Sequence, residues 1–131
     1  MSDAICLWEI MVPTEKRVKT PPPEPGGPDN AMWPMEYELW QRRNTYTARY
    51  HRVWDAKVRA ITGGLTILTP AKGQWVSPDG ELYRERVIPV RIAATRAQID
   101  KIIDLTLEYY DQLAVMCYKV SEEVIIRHEE N

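Results

Sequence analysis

Residues 63–94 constrain the fold of this chain more than any other segment. They contain a helix stop, a strand, a turn and a second strand, in that order. Gly63-Gly64 is expected to end a helix, because glycine readily adopts the left-handed conformation found after a last helical turn. Residues 65–68 begin an apolar strand, and Ser77-Pro78-Asp79-Gly80 is a strong turn signal. Residues 81–94 form the returning strand. The stretch therefore predicts a long β-hairpin directly after a helix.

Strand and helix signals lie on both sides of this hairpin. Residues 4–12 are almost continuously apolar, which predicts a strand buried on both faces. Thr47 is a candidate N-cap for a helix running to about Thr62, and Thr95 is one for a helix from 96 to about 111. Weaker signals predict a helical turn or two at 35–43, a last major strand at 113–120 and a short strand at 124–127.

Prolines mark two unusual points in the chain. Six prolines and two glycines lie in residues 20–34, a composition that favours extended or irregular chain and excludes helix. Because a single strand precedes this segment, we predict an inserted loop or flap there. Pro89 lies in the middle of the strand 81–94 and cannot donate a ladder hydrogen bond. It implies a bulge, a sheet edge, or a stretch that leaves one sheet for another.

The order strand, helix, strand, strand, helix, strand predicts an α+β fold. It is a ferredoxin-like βαββαβ split sandwich, in which an antiparallel sheet carries two helices on one face. Residues 1–131 are expected to form a single domain, with 20–34 as a Pro-rich loop or flap after the first strand and 121–131 as a C-terminal tail. The second sheet face and the hairpin then lack cover. We expect a homotrimer to provide it, by burying the sheet faces around an axis.

Composition limits the partners and the compartment. The chain has 131 residues and a formal net charge of −2, so nucleic acid is not an expected partner. No apolar run reaches the roughly 18 residues of a membrane span, and no basic segment precedes the apolar start as it would in a signal peptide. Cys6 and Cys117 are expected to be buried free thiols, with a disulfide as the alternative. The expected location is the cytoplasm.

The sequence offers no familiar covalent or metal chemistry. His51 and His128 are the two histidines, and neither has the spacing of a metal-binding motif, so no metal is expected. No Gly-x-Ser-x-Gly elbow is present, and Cys117 lies in an apolar strand, where a thiol is inert. No glycine-rich phosphate loop precedes a helix. No cofactor is expected either.

Glu85 is the main candidate for a functional, catalytic residue. It follows Tyr83 and lies between Arg84 and Arg86, where the returning strand becomes apolar. A carboxylate there could act as a base or hold a cationic ligand, with a salt bridge to a neighbouring arginine as the alternative. Trp75 could cover a flat or cationic ligand with its ring, or pack at a subunit interface. Tyr83, Trp75 and Arg84 are therefore candidates for substrate binding.

A second group of candidates opens the first long helix. His51 and Arg52, together with Arg49, concentrate positive charge in the first helical turns. His51 and Arg52 could meet a phosphate or carboxylate of a ligand, and the alternative is that they are ordinary surface residues. We include both among the substrate-binding candidates.

Several short motifs, taken in their order and spacing, carry a family resemblance. They are Arg49-Tyr50-His51-Arg52 leading to Arg59-Ala60 and Gly64-Leu65, then Tyr83-Arg84-Glu85, Val90-Arg91-Ile92 and the closing Gln112-Leu113-Ala114-Val115-Met116-Cys117-Tyr118-Lys119. The set resembles the phage-encoded enzymes that cleave S-adenosylmethionine, over about residues 5–119 without the proline-rich insertion. The topology also resembles PII-like trimeric ferredoxin-fold sensors. Residues 64–66 and 73–75 are similar to an uncharacterised bacterial family.

The first resemblance implies a ferredoxin-like trimer with its sites between subunits and a lyase activity. In these enzymes the carboxylate of S-adenosylmethionine attacks its own γ-carbon and releases methylthioadenosine and homoserine lactone, without a protein nucleophile or a metal. Glu85 falls at the family's functionally important glutamate and would hold the sulfonium or the substrate amine. A phage origin would place the protein in the host cytoplasm. The hairpin departs from the family's pattern, being longer and richer in Gly, Pro and Trp.

Three functions are compatible with these observations. The first is cleavage of S-adenosylmethionine at an inter-subunit site. The second is a non-catalytic, PII-like trimer that binds or sequesters a nucleotide-like metabolite. The third is a phage inhibitor of a host protein, with the proline-rich segment as the contact.

Overall fold

The computed structural model describes residues 4–17, 21–26 and 31–129. In these residues the chain forms five strands and three helices. In chain order they are β1 (Cys6–Pro13), α1 (Trp33–Asn44), α2 (Ala48–Thr62), β2 (Thr66–Ile67), β3 (Ala71–Val76), β4 (Leu82–Ala94), α3 (Arg96–Tyr109) and β5 (Cys117–Ser121).

The strands form one antiparallel sheet with β1 and β4 at its centre. The order is β2-β4-β1-β5, and β3 pairs with the first half of β4. Helices α2 and α3 pack against one face of the sheet. The hydrophobic core lies between them and is formed by alternate residues of β1 and β4 together with residues of both helices. The largest fully buried side chains of this core include Ile10, Ile92, Trp54, Ile99 and Ile102. The predicted α+β, ferredoxin-like class is confirmed, with α1 as an additional helix.

Strand β1 is buried because both of its edges are paired and both faces are at least partly covered. Trp8 and Ile10 lie on the helix side of the sheet and are buried. On the opposite side Glu9 is also buried, and its carboxylate accepts a hydrogen bond from Arg91 of β4 at 3.0 Å. A buried carboxylate needs such a cationic donor, because removal from water strongly disfavours an unpaired charge.

The helix boundaries follow the predicted capping residues. The Thr47 hydroxyl accepts a hydrogen bond from the Tyr50 amide, at the start of α2. Gly63 ends α2 in the left-handed conformation, with φ of 88°, and its amide donates to the Arg59 carbonyl. Thr95 and Gln98 form a reciprocal capping box at the start of α3. Both predicted helix starts and the predicted helix stop are confirmed.

Helix α1 is longer than the sequence signals indicated and begins at Trp33, inside the segment predicted as a loop. Pro34 is tolerated because the first helical turn needs no amide donor from it. Trp33, Tyr37 and Trp40 support the helix by ring contacts along one side, with centroids 5.3 and 5.5 Å apart. Residues 21–26 form neither helix nor strand, and Pro23 accepts a hydrogen bond from the Trp33 indole. The rest of the predicted flap, residues 20 and 27–30, lies outside the described residues.

The C-terminal strands are shorter than predicted. The last major strand begins at Cys117 instead of residue 113, because Asp111 turns the chain through a left-handed conformation (φ 48°) before it reaches the edge of β1. Residues 124–127, predicted as a short strand, form no strand. The reason is that β1 has almost no residues left to pair with: Ser121 already lies opposite Leu7, and Cys6 is the first residue of that strand.

Pro89 lies opposite a β-bulge, one of its three predicted roles. Between the pairs Ile67↔Val90 and Ala71↔Val87, the three residues 68–70 face the two residues 88–89. The Leu68 amide donates to the Pro89 carbonyl, so Pro89 directs its backbone toward the bulge. Proline has no amide hydrogen, and the bulge is where the ladder would otherwise need one from residue 89. The bulge divides the outer strand into β2 and β3.

Two further expectations concern the thiols and the membrane. Cys6 and Cys117 are both free thiols as predicted, but only Cys6 is buried, and Cys117 is partly buried. Burial still raises the pKa of Cys117 to about 11, which keeps it protonated and unreactive. In the described part of the chain, no helix has the length and apolar character needed to span a membrane.

The left-handed end of α2 gives a test of the fold. Gly63→Ala is expected to lower the free energy of unfolding by about 1 kcal/mol, because a side chain disfavours φ of 88°. Gly64→Ala is the control, since a methyl group there meets nothing within 4 Å and the residue has no positive φ. Urea unfolding measures both, and equal losses would contradict the assigned cap.

Candidate ligand-binding site on the hairpin

The β3–β4 hairpin extends beyond the end of the sheet core and is closed by the predicted turn. The Ser77 amide donates to the Glu81 carbonyl and the Gly80 amide to the Ser77 carbonyl, both at 2.9 Å. Gly80 supplies the positive φ, 87°, that this turn requires. The Ser77 hydroxyl also donates to the Asp79 carboxylate, which lowers the pKa of Asp79. The hairpin therefore has a well-bonded tip.

Strand alternation places three of the predicted site residues on one side of this hairpin. Trp75 lies directly opposite Tyr83, and Gly73 directly opposite Glu85. Cross-strand partners share a face, and residues two apart along a strand do so as well. This is the sheet face that carries Glu9 and points away from α2 and α3; we call it the open sheet face. Because Gly73 has no side chain, nothing from β3 stands directly opposite the Glu85 carboxylate.

The aromatic pair and the carboxylate are in direct contact. The rings of Trp75 and Tyr83 stack with centroids 4.6 Å apart and an interplanar angle of 16°. The Trp75 indole N–H donates to Glu85 Oε1 at 3.0 Å. Trp75 is nevertheless 47% exposed and Tyr83 41% exposed, so the outer ring surfaces are open to a ligand. The predicted group of Trp75, Tyr83 and Glu85 thus forms one cluster.

A second carboxylate, Glu81, completes the cluster and was not among the predicted residues. The Tyr83 hydroxyl donates to Glu81 Oε2 at 3.3 Å, and the negative charge of Glu81 raises the pKa of Tyr83. The sequence did contain the signal, since Glu81, Tyr83 and Glu85 are spaced by two and share one side of a strand. We call Trp75, Tyr83, Glu81 and Glu85 the aromatic–acid cluster.

The chemistry of the aromatic–acid cluster suits a flat group that bears positive charge. Ring faces attract cations through their quadrupole, and carboxylates add direct charge attraction. Glu85 already accepts from Trp75, so the indole fixes the orientation of one carboxylate oxygen while the other can meet a ligand. The arrangement can bind and orient a cationic ligand.

The opposite side of the hairpin is basic and separates Arg84 from Glu85. Lys72, Arg84 and Arg86 share this side, and Lys72 lies directly opposite Arg86. We call these three residues the basic hairpin face. Within the described chain, none of the three has an acidic side chain within 4.0 Å. The predicted substrate-binding residue Arg84 therefore does not join the aromatic–acid cluster of its own chain.

His51 and Arg52 lie in a different layer, on helix α2. Arg52 is exposed, whereas His51 is half-buried and its Nδ1 lies 2.6 Å from the Tyr110 hydroxyl of α3's C-cap. Around His51, Tyr46 and Tyr50 stack at 4.8 Å, and Tyr50 and Tyr109 at 4.3 Å. We call Tyr46, Tyr50, Tyr109 and Tyr110 the tyrosine cluster. It joins the start of α2 to the end of α3.

Hydrogen bonds make the tyrosine cluster a structural joint. The Tyr46 hydroxyl donates to the Tyr110 carbonyl, the Tyr50 hydroxyl to the Tyr109 carbonyl and the Tyr109 hydroxyl back to the Tyr50 carbonyl. The first two bonds satisfy carbonyls at the end of α3 that have no helical partner, and the third ends on a carbonyl inside α2. Burial raises the pKa of Tyr110 far above its usual range and lowers that of His51. His51 therefore belongs to the contact between α2 and α3 and lies apart from the aromatic–acid cluster.

Two clefts lie away from the aromatic–acid cluster. One cleft, of about 360 Å³, borders the tyrosine cluster and is lined in part by Lys16, Arg17 and Thr47. The other, of about 570 Å³, lies between α1 and the base of the hairpin and is lined in part by Trp40 and Arg86.

In the described residues, no group of three or more His, Cys, Asp and Glu side chains could hold a metal ion.

Comparisons with known proteins support the fold and leave the function open. No protein-family model and no curated protein sequence matches the chain. Among solved structures, CutA from Synechococcus elongatus PCC7942 is similar, with a TM-score of 0.51 and 13% sequence identity over 92% of this chain and 78% of that chain. At this identity the likeness shows the fold alone. The resemblance to S-adenosylmethionine-cleaving enzymes has no support from these comparisons and stays a hypothesis.

The buried environment of His51 predicts a pH dependence of stability. Burial holds its folded pKa below the ordinary value of 6.5, so the unfolded chain binds a proton first as pH falls. Stability is then fully present above about pH 6.5 and is lost as pH falls toward the folded pKa. Tyr110, Tyr46 and Asp55 face this ring; burial raises the pKa of Asp55, which opposes the loss at lower pH.

The measurement is the thermal midpoint between pH 7.5 and 5.5. We expect His51→Gln, whose amide can still meet the Tyr110 hydroxyl, to flatten the decline seen in the unmodified protein. His128→Gln is the matched control, because this histidine is exposed on the C-terminal segment. A decline that survives in His51→Gln would show that another group causes it.

Proposed function

We propose that this protein binds, without turnover, a small nucleotide-like ligand that combines a flat ring with positive charge, and does so at the aromatic–acid cluster. The observation that carries the proposal is the exposed Trp75–Tyr83 stack held between Glu81 and Glu85. An aromatic stack of this kind would otherwise be expected to be buried, since its exposure leaves a large apolar area in water. A ligand that stacks on it gains both ring contact and charge attraction.

The cluster is flat in a single chain, so we propose that neighbouring subunits supply the walls of the site. The open sheet face carries a further exposed aromatic side chain on β5, Tyr118, which lies directly opposite Glu9. Burying such a face between copies is the usual way to cover it, and a homotrimer remains our proposal for the assembly. The CutA likeness supports the fold on which this arrangement depends.

Paired ligands that differ by one charge test this proposal directly. S-adenosylmethionine carries a sulfonium, whereas S-adenosylhomocysteine has the same adenosine and amino acid with a neutral thioether. We expect the protein to bind the first more tightly by about tenfold, measured by isothermal titration calorimetry. Trp75→Ala and Glu85→Gln should each weaken binding about tenfold or more.

The matched control is Gln74→Ala, because Gln74 is adjacent to Trp75 on β3 but faces the other side of the hairpin. Its affinity for S-adenosylmethionine should equal that of the unmodified protein. Equal affinity for both ligands, or full binding by Trp75→Ala, would contradict the proposed site.

Cleavage of S-adenosylmethionine is the second candidate function, favoured by the position of Glu85. Its carboxylate lies beside an exposed indole, where a substrate sulfonium could be held while the substrate's own carboxylate attacks the γ-carbon. The C–S bond then breaks, its electron pair stays on sulfur as methylthioadenosine, and homoserine lactone forms. The protein's contribution is positioning and charge complementarity.

Mass spectrometry of a reaction with purified protein decides between the two candidates. If cleavage occurs, methylthioadenosine accumulates, and Glu85→Gln should slow its formation by about tenfold or more. If none forms although calorimetry detects binding, the lyase hypothesis is wrong and the non-catalytic binding proposal stands. Full activity in Glu85→Gln would remove this residue from the proposed site.

A further inference from the structure

The segment that follows β5 is an apolar strand-forming sequence without a strand partner. Val124, Ile125 and Ile126 are β-branched, and the two isoleucines are 70% and 64% exposed. Among the described residues, no backbone hydrogen bond joins 124–129 to the rest of the chain. Exposed β-branched side chains next to each other favour pairing with another strand.

Strand β3 of the same chain lies too far away to be that partner. Strand β5 runs parallel to β4, since both are antiparallel to β1, and it ends beside Leu7 and hence near Ala93. Strand β3 instead pairs with residues 82–87 at the opposite end of β4. The separation is about 20 Å along the strands and about 14 Å across three strand spacings. An extended segment would need about seven residues merely to reach β3.

Strand β3 offers a free edge of matching length. Among the residues that the structure describes, it pairs with β4 alone, so the amides and carbonyls on its outer side have no strand partner there, and five of its six residues are exposed. An unprotected edge of this kind is a template for one more strand. Val76 and Leu82, on the same side as the basic hairpin face, are 64% and 53% exposed and could cover isoleucine side chains.

Charge complementarity points to the same pairing. Lys72 and Arg86 face each other across the hairpin, and like charges at directly opposite positions are destabilising. Glu122 and Glu123 directly precede the apolar part of the C-terminal segment and are exposed. Because adjacent residues of a strand point to opposite sides, one of these two glutamates would lie on the basic side in either orientation.

We propose that residues 122–127 of one copy of this chain add as a strand to the outer edge of β3 in a second copy. The added strand would lie directly beside Trp75 and so would supply one wall of the aromatic–acid cluster. The proposal concerns assembly and does not depend on the identity of the ligand, because it is tested in the absence of any ligand.

The first test is the molar mass in solution, measured by light scattering during size-exclusion chromatography. The unmodified protein is expected to be oligomeric, and Ile125→Asp/Ile126→Asp is expected to be monomeric with an unchanged circular dichroism spectrum, since both side chains are exposed. Ile67→Asp is the control: this isoleucine is also exposed, on the other outer strand β2, and its replacement should leave the oligomer intact. A monomeric unmodified protein, or an oligomer that survives the double replacement, would overturn the proposal.

The second test exchanges the charges. Arg84→Glu/Arg86→Glu and Glu122→Arg/Glu123→Arg should each weaken self-association by about tenfold or more, because each creates like charges across the new strand pair. An equimolar mixture of the two variants should recover a hetero-oligomer, since the exchanged charges again match. Failure of the mixture to associate would refute the pairing of the C-terminal segment with the basic hairpin face. Ligand calorimetry on the Ile125→Asp/Ile126→Asp variant then reports separately on the binding site.

Discussion

The eight-residue pairing of β1 with β4 is the interaction on which the rest of the structure depends. It places Trp8, Ile10, Ile92 and their neighbours on one side of the sheet, where α2 and α3 bury them. Burial of this shared core is the main source of stability. Strand β4 is thirteen residues long, so its first part extends past β1 and carries the hairpin outward. The candidate site therefore rests on a strand whose other half is fixed in the core.

Local signals in the sequence were sufficient to predict where α2 and α3 begin, where α2 ends and where the hairpin turns. Thr47, Gly63 and Thr95 act within three or four residues of their own positions, so their effect does not depend on distant parts of the chain. The length of helix α1 was underestimated. Ring contacts among Trp33, Tyr37 and Trp40 support this helix, whereas the proline-rich composition before it is typical of a loop. The predicted short strand at 124–127 was wrong: its apolar composition favours a strand, but a strand needs a neighbouring strand, and none pairs with these residues in the described part of the chain.

The grouping of the site residues was harder to predict than the secondary structure, because it depends on the side of the strand or helix on which each side chain lies. Trp75, Tyr83 and Glu85 could be expected together once the hairpin register was known, and Glu81 with them. Strand alternation already separates Arg84 from Glu85, because adjacent strand residues point to opposite sides. His51 could not be separated from Glu85 in this way, since its distance from the hairpin depends on how helix α2 packs against the sheet. The hairpin thus has an acidic, aromatic side and a basic side, and these two sides suit different partners.

The bulge at Pro89 has a mechanical consequence for the molecule. Pro89 has no amide hydrogen, so the ladder between β4 and its outer neighbours is interrupted between β2 and β3. Fraying that begins at the hairpin tip meets this interruption before it reaches the residues that pair with Thr66 and Ile67. We therefore expect the β3–β4 hairpin to open and re-form locally while the pairing of β1 with β4 stays intact.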